Sequence, residues 1–330
     1  MLRFFRSYKS VVIATILFIG VLTWLHVLGG AEATSSGKHG AFMFRALSGW
    51  LAHTPAGVQL WFGLFLSLFI AILLVYTNNR LHLIEKISYL PALCYLLLIG
   101  GVPDIHLFNP VLFAVILLVA GFIILAEAFE SERLSYNFFA ASMLISFATF
   151  FCQYMYIYML VIWIAIALWR PNYWREWVFS ILGFIFPLFL VFTWFFIFDG
   201  DDTRISAFLN ETFIIQRVMP SLSASAIIFI ALSIVVGAVA FGYLLRFIRS
   251  GKVVIRTRYY ILILMGVVTA NMTFVAPDMI PLAWYLLAFP MSFIISGYLT
   301  NIKSVRWGTA VLAILFAGVM VAQAVFLFAG

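Results

Sequence analysis

Residues 170–198 read RPNYWREWVFSILGFIFPLFLVFTWFFIF. From Trp177 to Phe198 no side chain can ionise, and the run is long enough for a helix to cross a hydrocarbon layer about 30 Å thick. Immediately before it, Trp169, Tyr173, Trp174 and Trp177 surround Arg170 and Arg175. Amphipathic rings and cations at the mouth of an apolar run are what the headgroup region of a bilayer selects.

The same unit repeats outward in both directions. Apolar stretches at Val11–Leu28, Gly57–Thr77, Ile87–Gly100, Pro110–Ala126, Phe138–Phe151 and Tyr154–Trp169 precede Trp177–Phe198. Leu222–Leu245, Tyr259–Val275, Ile280–Thr300 and Trp307–Phe328 follow it. A 330-residue chain that is 65% hydrophobic and 9% charged has no way to cover its apolar surface in water. The expected fold class is an all-α polytopic transmembrane helical bundle of about eleven spans. Ile87–Gly100 and Phe138–Phe151 are short enough to be hairpin arms that do not fully cross, which would lower the number to nine. No room remains for a soluble domain of about 50 residues, so residues 1–330 read as a single integral membrane domain.

Charge orients the bundle. With the N-terminus inside, fifteen of the nineteen Lys and Arg residues fall in cytoplasmic gaps, and Lys38, Arg45, Arg204 and Arg217 lie outside. Cations resist translocation, so the N-terminus is expected in the cytoplasm. The run Val11–Leu28 follows Arg3, Arg6 and Lys9 and exceeds the apolar region of a signal peptide, so an uncleaved first span is preferred to cleavage near Ala31-Glu32-Ala33. A net charge of +7 placed at span ends answers anionic lipid headgroups and speaks against a nucleic-acid partner. Membrane lipids are thus the first expected partner.

Two external segments are longer than tight turns. In 29–55, Met43, Ala46, Leu47, Trp50 and Leu51 recur at helical spacing; in 199–221, Ile205, Phe208, Leu209 and Phe213 do. Each is expected to form a short helix lying flat in the outer interface. Asp202 or Thr203 could cap the second.

Candidate chemistry is scarce within the spans. Glu127 ends a span near Glu130, Glu132 and Arg133 and reads as a solvated helix end; Asn271, Gln153 and Gln323 read as interhelical hydrogen-bond partners, and His26 as facing a headgroup or a wet crevice. Cys94 and Cys152 have no partner spacing for a metal or redox pair, and no phosphate loop, HExxH helix or heme signature occurs. External acids are more numerous. Glu32, Asp104 and His106 are candidate catalytic groups, as proton acceptors and a partner for one. Asp199, Asp201 and Asp202 have the oxygen density to hold a divalent cation, the one cofactor this pattern would imply. Arg45, Arg204 and Arg217 are candidate ligands for a polyprenyl phosphate, since guanidinium matches phosphate oxygens bidentately. Each set has a plainer reading, as polar turn, solvated helix cap and phospholipid contact respectively.

Three stretches, Arg3-Phe4-Phe5-Arg6-Ser7-Tyr8, Tyr89-Leu90-Pro91-Ala92-Leu93-Cys94-Tyr95-Leu96 and Arg170-Pro171-Asn172-Tyr173-Trp174-Arg175-Glu176-Trp177, resemble shared features of an uncharacterised family of Bacteroidota inner-membrane proteins. The resemblance covers roughly the first two hundred residues and implies a bacterial inner (cytoplasmic) membrane location and a multi-span architecture. The carotene oxygenase label that some members carry is not taken over, because His26, His39, His53, His82 and His106 are scattered rather than clustered for iron. In layout the chain is also similar to GT-C glycosyltransferases, which implies an acid early in the first external loop that serves the acceptor; Glu32 stands there, without a paired acid. Three functions stay open. One is action on lipid-linked glycans or lipids at the outer leaflet, in its sharpest form sugar transfer from a polyprenyl-phosphate sugar. The others are a transporter or flippase, and a non-enzymatic scaffold or subunit of an envelope protein complex.

Overall fold

The computed structural model describes residues 10–24, 43, 47, 49, 54–84, 88–106, 109–129, 134–169, 172–198, 222–250, 253–275, 280–302 and 304–329. Among the described residues there are eleven α-helices and no strand. In chain order they are α1 (Ser10–Leu22), α2 (Ala56–Leu81), α3 (Leu90–Gly100), α4 (Val111–Ala128), α5 (Leu134–Thr149), α6 (Met159–Trp169), α7 (Trp174–Phe198), α8 (Ala224–Ser250), α9 (Val253–Val275), α10 (Ile280–Asn301) and α11 (Val305–Ala329). One-turn 3₁₀ segments occupy Pro103–Ile105 and, as a longer piece, Gln153–Tyr158.

The expectation of about eleven spans therefore meets eleven helices of two kinds. Seven of them, α2, α4 and α7 to α11, are long and apolar enough to cross a bilayer. Four are shorter, at 13, 11, 16 and 11 residues for α1, α3, α5 and α6. A helix of eleven residues is only about 16 Å long, roughly half the hydrocarbon thickness. The chain stops α3 with Gly100 and Gly101, followed by Pro103 in the next turn. Of the two expected interfacial helices, the first is described only at Met43, Leu47 and Gly49, whose backbone is helical. The second lies outside the described residues.

α3 is the centre of the bundle. All eleven of its residues are buried, packed by α10, α2, α1 and α11. α10 is the second core helix, with 78% of its apolar window buried, whereas α7 has 17% and turns most of its surface outward. α7 packs chiefly on α5, which in turn packs on α4. One continuous buried core runs from Ile16 to Ala322.

Lipid tails are as apolar as leucine, so burial alone does not drive spans together; close packing and hydrogen bonds do. The seam between α5 and α7 illustrates this. Glu176, Ser180, Gly183 and Pro187 form the buried stripe of α7, and a Cβ added to Gly183 would lie 2.3 Å from the Phe139 carbonyl oxygen. Only glycine permits that backbone approach.

Candidate functional site

Polar side chains from several helices converge on the turn Gly101–His106, which joins α3 to the chain leading into α4. A helix end leaves its last carbonyls without helical partners, and in an apolar surrounding each must be satisfied by something else. Here the donors come from distant helices. Trp284 of α10 donates its indole N–H to Leu98 O at 2.8 Å. The Gln323 amide of α11 donates to Gly100 O at 3.0 Å and to Thr23 O at 2.8 Å. Tyr285 donates its hydroxyl to Ile105 O.

His106 belongs to the same arrangement. It is fully buried, its Nε2 lies 3.1 Å from Ile99 O, and its ring stacks on Trp24 at 4.6 Å with planes 10° apart. A carbonyl only accepts, so Nε2 carries the proton. Asp104 points elsewhere. Its Oδ2 accepts from the Ser223 hydroxyl at 2.7 Å and the Ser223 amide at 3.3 Å. Ser223 in turn caps α8, its oxygen accepting the Ala226 amide at 3.3 Å with the Ser225 hydroxyl 3.0 Å away. A carboxylate beside a helix N-terminus is also favoured by the helix dipole.

The sequence-derived pairing of Asp104 with His106 as base and partner thus takes a different form. The two residues share a turn, but Asp104 is half-buried against Ser223 while His106 is sealed against Trp24 and the end of α3. Glu32, Arg45, Arg204 and Arg217 lie outside the described residues, as do Asp199, Asp201, Asp202 and His26. Among the described residues no three His, Cys, Asp or Glu side chains are grouped to hold a metal ion.

The remaining polar residues find local or interhelical partners. Gln323 is an interhelical bond, as its type predicts. Asn271 is exposed and donates to Val267 O on its own helix at 2.9 Å, so it bridges no helices. Glu127 is not simply a solvated helix end: it forms a two-pronged ion pair with Arg80, whose Nη2 lies 3.0 Å from Oε2 and whose Nε also bonds the carboxylate. Tyr76 accepts from the same guanidinium at 2.7 Å. The Gln153 side chain is outside the described set.

Sequence reasoning did not find Trp24, Ser223, Trp284 or Tyr285. Their one legible signal is type, since a buried Trp or Tyr has a polar tip that needs an acceptor. Nothing local says which acceptor. Compared with known proteins, the chain matches no family model, no curated protein and no solved structure.

Proposed function

We propose that this is a multi-pass inner-membrane protein with a cytoplasmic N-terminus, whose Gly101–His106 end faces the outer leaflet and there handles lipid-linked glycans or lipids. The observation that carries this reading is where the two long polar segments are rooted. The first external segment, 29–55, begins five residues after Trp24, and the second, 199–221, leads into Leu222 and Ser223. Trp24 stacks on His106 and Ser223 bonds Asp104, so both segments start or finish at one turn. The Met43 amide adds a further attachment, donating to Phe150 O at 2.9 Å.

Those two segments hold seven of the candidate residues. In the sharpest form of the proposal, Glu32 or Asp104 takes the proton of an acceptor hydroxyl. The acceptor oxygen then attacks the anomeric carbon, and the polyprenyl phosphate leaves as Arg45, Arg204 and Arg217 balance its charge. Asp199, Asp201 and Asp202 would supply oxygen ligands if a divalent cation assists. A transport pathway receives less support, because Asn271 bonds its own helix and Gln323 is spent on two backbone carbonyls.

A second reading, a non-enzymatic subunit of an envelope complex, is favoured by one specific observation. Asp104 and His106, the two described candidates for catalysis, are both engaged in holding the fold together. Native mass spectrometry of the detergent-solubilised protein separates the readings. A retained polyprenyl phosphate or lipid-linked sugar that is lost in Arg45→Ala or Arg204→Ala is the result expected for outer-leaflet glycan handling. Bulk phospholipid alone, unchanged by either substitution, would favour the subunit reading and overturn the first.

A further inference from the structure

We propose that the Gly101–His106 turn is a mechanical coupling between the C-terminal end of α1 and the N-terminal end of α8, with Gln323 and Asp104 as its positioning residues. It goes beyond the functional reading above and holds whether or not a lipid-linked substrate is bound.

The turn is built to move as one piece. It is bonded internally by Val102 N to Ile99 O at 3.0 Å, Ile105 N to Val102 O at 3.2 Å and His106 N to Pro103 O at 3.1 Å. One side of it grips the end of α1, through the Trp24 ring on His106 and through Gln323, which holds Thr23 O and Gly100 O with the two protons of one amide. The other side grips the start of α8. Asp104 holds Ser223, and the Phe229 ring of the same helix fills the space where a Gly101 side chain would begin, 2.2 Å from an ideal Cβ. Asp104 and His106 are two residues apart, so a shift of one carries the other. Packed contacts of this kind change between discrete arrangements rather than deforming smoothly.

A spatially intermediate turn is not by itself evidence of coupling; measured non-additivity is. The test is amide hydrogen exchange of the full chain in nanodiscs of phosphatidylethanolamine and phosphatidylglycerol, read by mass spectrometry. The reporters are the Thr23 and Trp24 amides on one side, bonded to Ile19 O and Val21 O, and the Ala226 and Ile227 amides on the other, bonded to Ser223. Asp104→Ala is expected to speed exchange about five-fold at Ala226 and Ile227 and, despite the distance in sequence, at Thr23 and Trp24 as well. Gln323→Leu is expected to do the same in reverse. The double variant should then fall short of the product of the two single effects. Effects that stay on the side of each substitution, and multiply in the double variant, overturn the proposal. If Gln323→Leu loosens α9 too, it has lost the fold rather than the coupling. Ser223→Ala, which removes the hydroxyl that binds Asp104 and also caps Ala226, then decides by the same criterion, read at Thr23 and Trp24 alone. Because no ligand is present, a failure here is separate from any failure of lipid retention.

Discussion

At one end of the bundle α2 stops at Leu81, and at the other α3 stops at Gly100; both must satisfy carbonyls that no longer have a helical partner. The α2 end uses charge. Arg258 of α9 donates to Leu81 O at 2.5 Å and the neighbouring Tyr259 hydroxyl to Leu83 O at 3.2 Å, while Arg80 and Glu127 pair beside them. His82 closes α2 in the left-handed region at φ 46°, and Asn78 accepts the Ile84 amide at 3.1 Å. The α3 end uses the Trp284 indole, the Gln323 amide, the His106 ring and the backbone amides of Gly101 and Val102, while Tyr285 serves Ile105 O in the turn that follows. A guanidinium can stay hydrated or reach headgroups near a membrane surface, whereas an indole, amide or phenol costs far less to desolvate. The contrast explains how a helix of half-membrane length can end inside the bundle: each of its last four carbonyls has a bonding partner, with no Arg or Lys among them.

The comparison can be broken most severely at Gly101. Gly101→Ala puts a methyl 2.2 Å from the Phe229 ring, and the overpacking is expected to cost about 3 kcal/mol. Thermal unfolding in detergent, followed by tryptophan fluorescence, should show the largest loss of any variant discussed here; an unchanged midpoint would mean that α8 does not seat on the turn. At the opposite end, Arg258→Ala leaves Leu81 O unmet in a buried position, with an expected loss of about 2 kcal/mol. Trp284→Phe keeps an aromatic ring in place but removes the donor to Leu98 O and leaves a small void where the rest of the buried indole sat. Its expected cost, about 1–2 kcal/mol, should be unaffected by salt, because no charge takes part.

The smallest effect is expected for Glu127→Gln. The Arg80–Glu127 pair is substantially exposed, with side chains 48% and 32% accessible, so its loss should cost under about 1 kcal/mol. The difference from wild type should shrink further between 0.1 and 1 M salt, as the Debye length falls from about 10 to 3 Å. Salt dependence for Trp284→Phe, or its absence for Glu127→Gln, would erase the distinction between a charged and a neutral end.

Much of the architecture was legible in the residues. The apolar runs, the aromatic and cationic residues at Arg170–Trp177 and the break after Gly100 marked the helices, and the shortness of Ile87–Gly100 matches the eleven residues of α3. Less was legible at the candidate site. Asp104 and His106 stand two residues apart in a polar turn, and side-chain chemistry alone favours reading them together. Their actual partners, Ser223 and the pair Trp24 and Ile99, come from three different parts of the chain. Glu127 was read with the charges next to it in sequence, yet its partner Arg80 is 47 residues away.

By itself, the sequence determined the solvent and the secondary structure. A chain this apolar has to enter a bilayer, and there backbone groups must be bonded within the protein, which leaves the helix, with its bonds made inside one segment, as the economical solution. Only the tertiary structure decided which polar side chains are spent on holding that fold. The donors that close α3 include one from a residue 223 positions away, and the same Gln323 amide reaches Thr23 across 300 residues. Helical periodicity encodes neighbours three and four residues apart, so a bond of that reach exists only once the helices have packed.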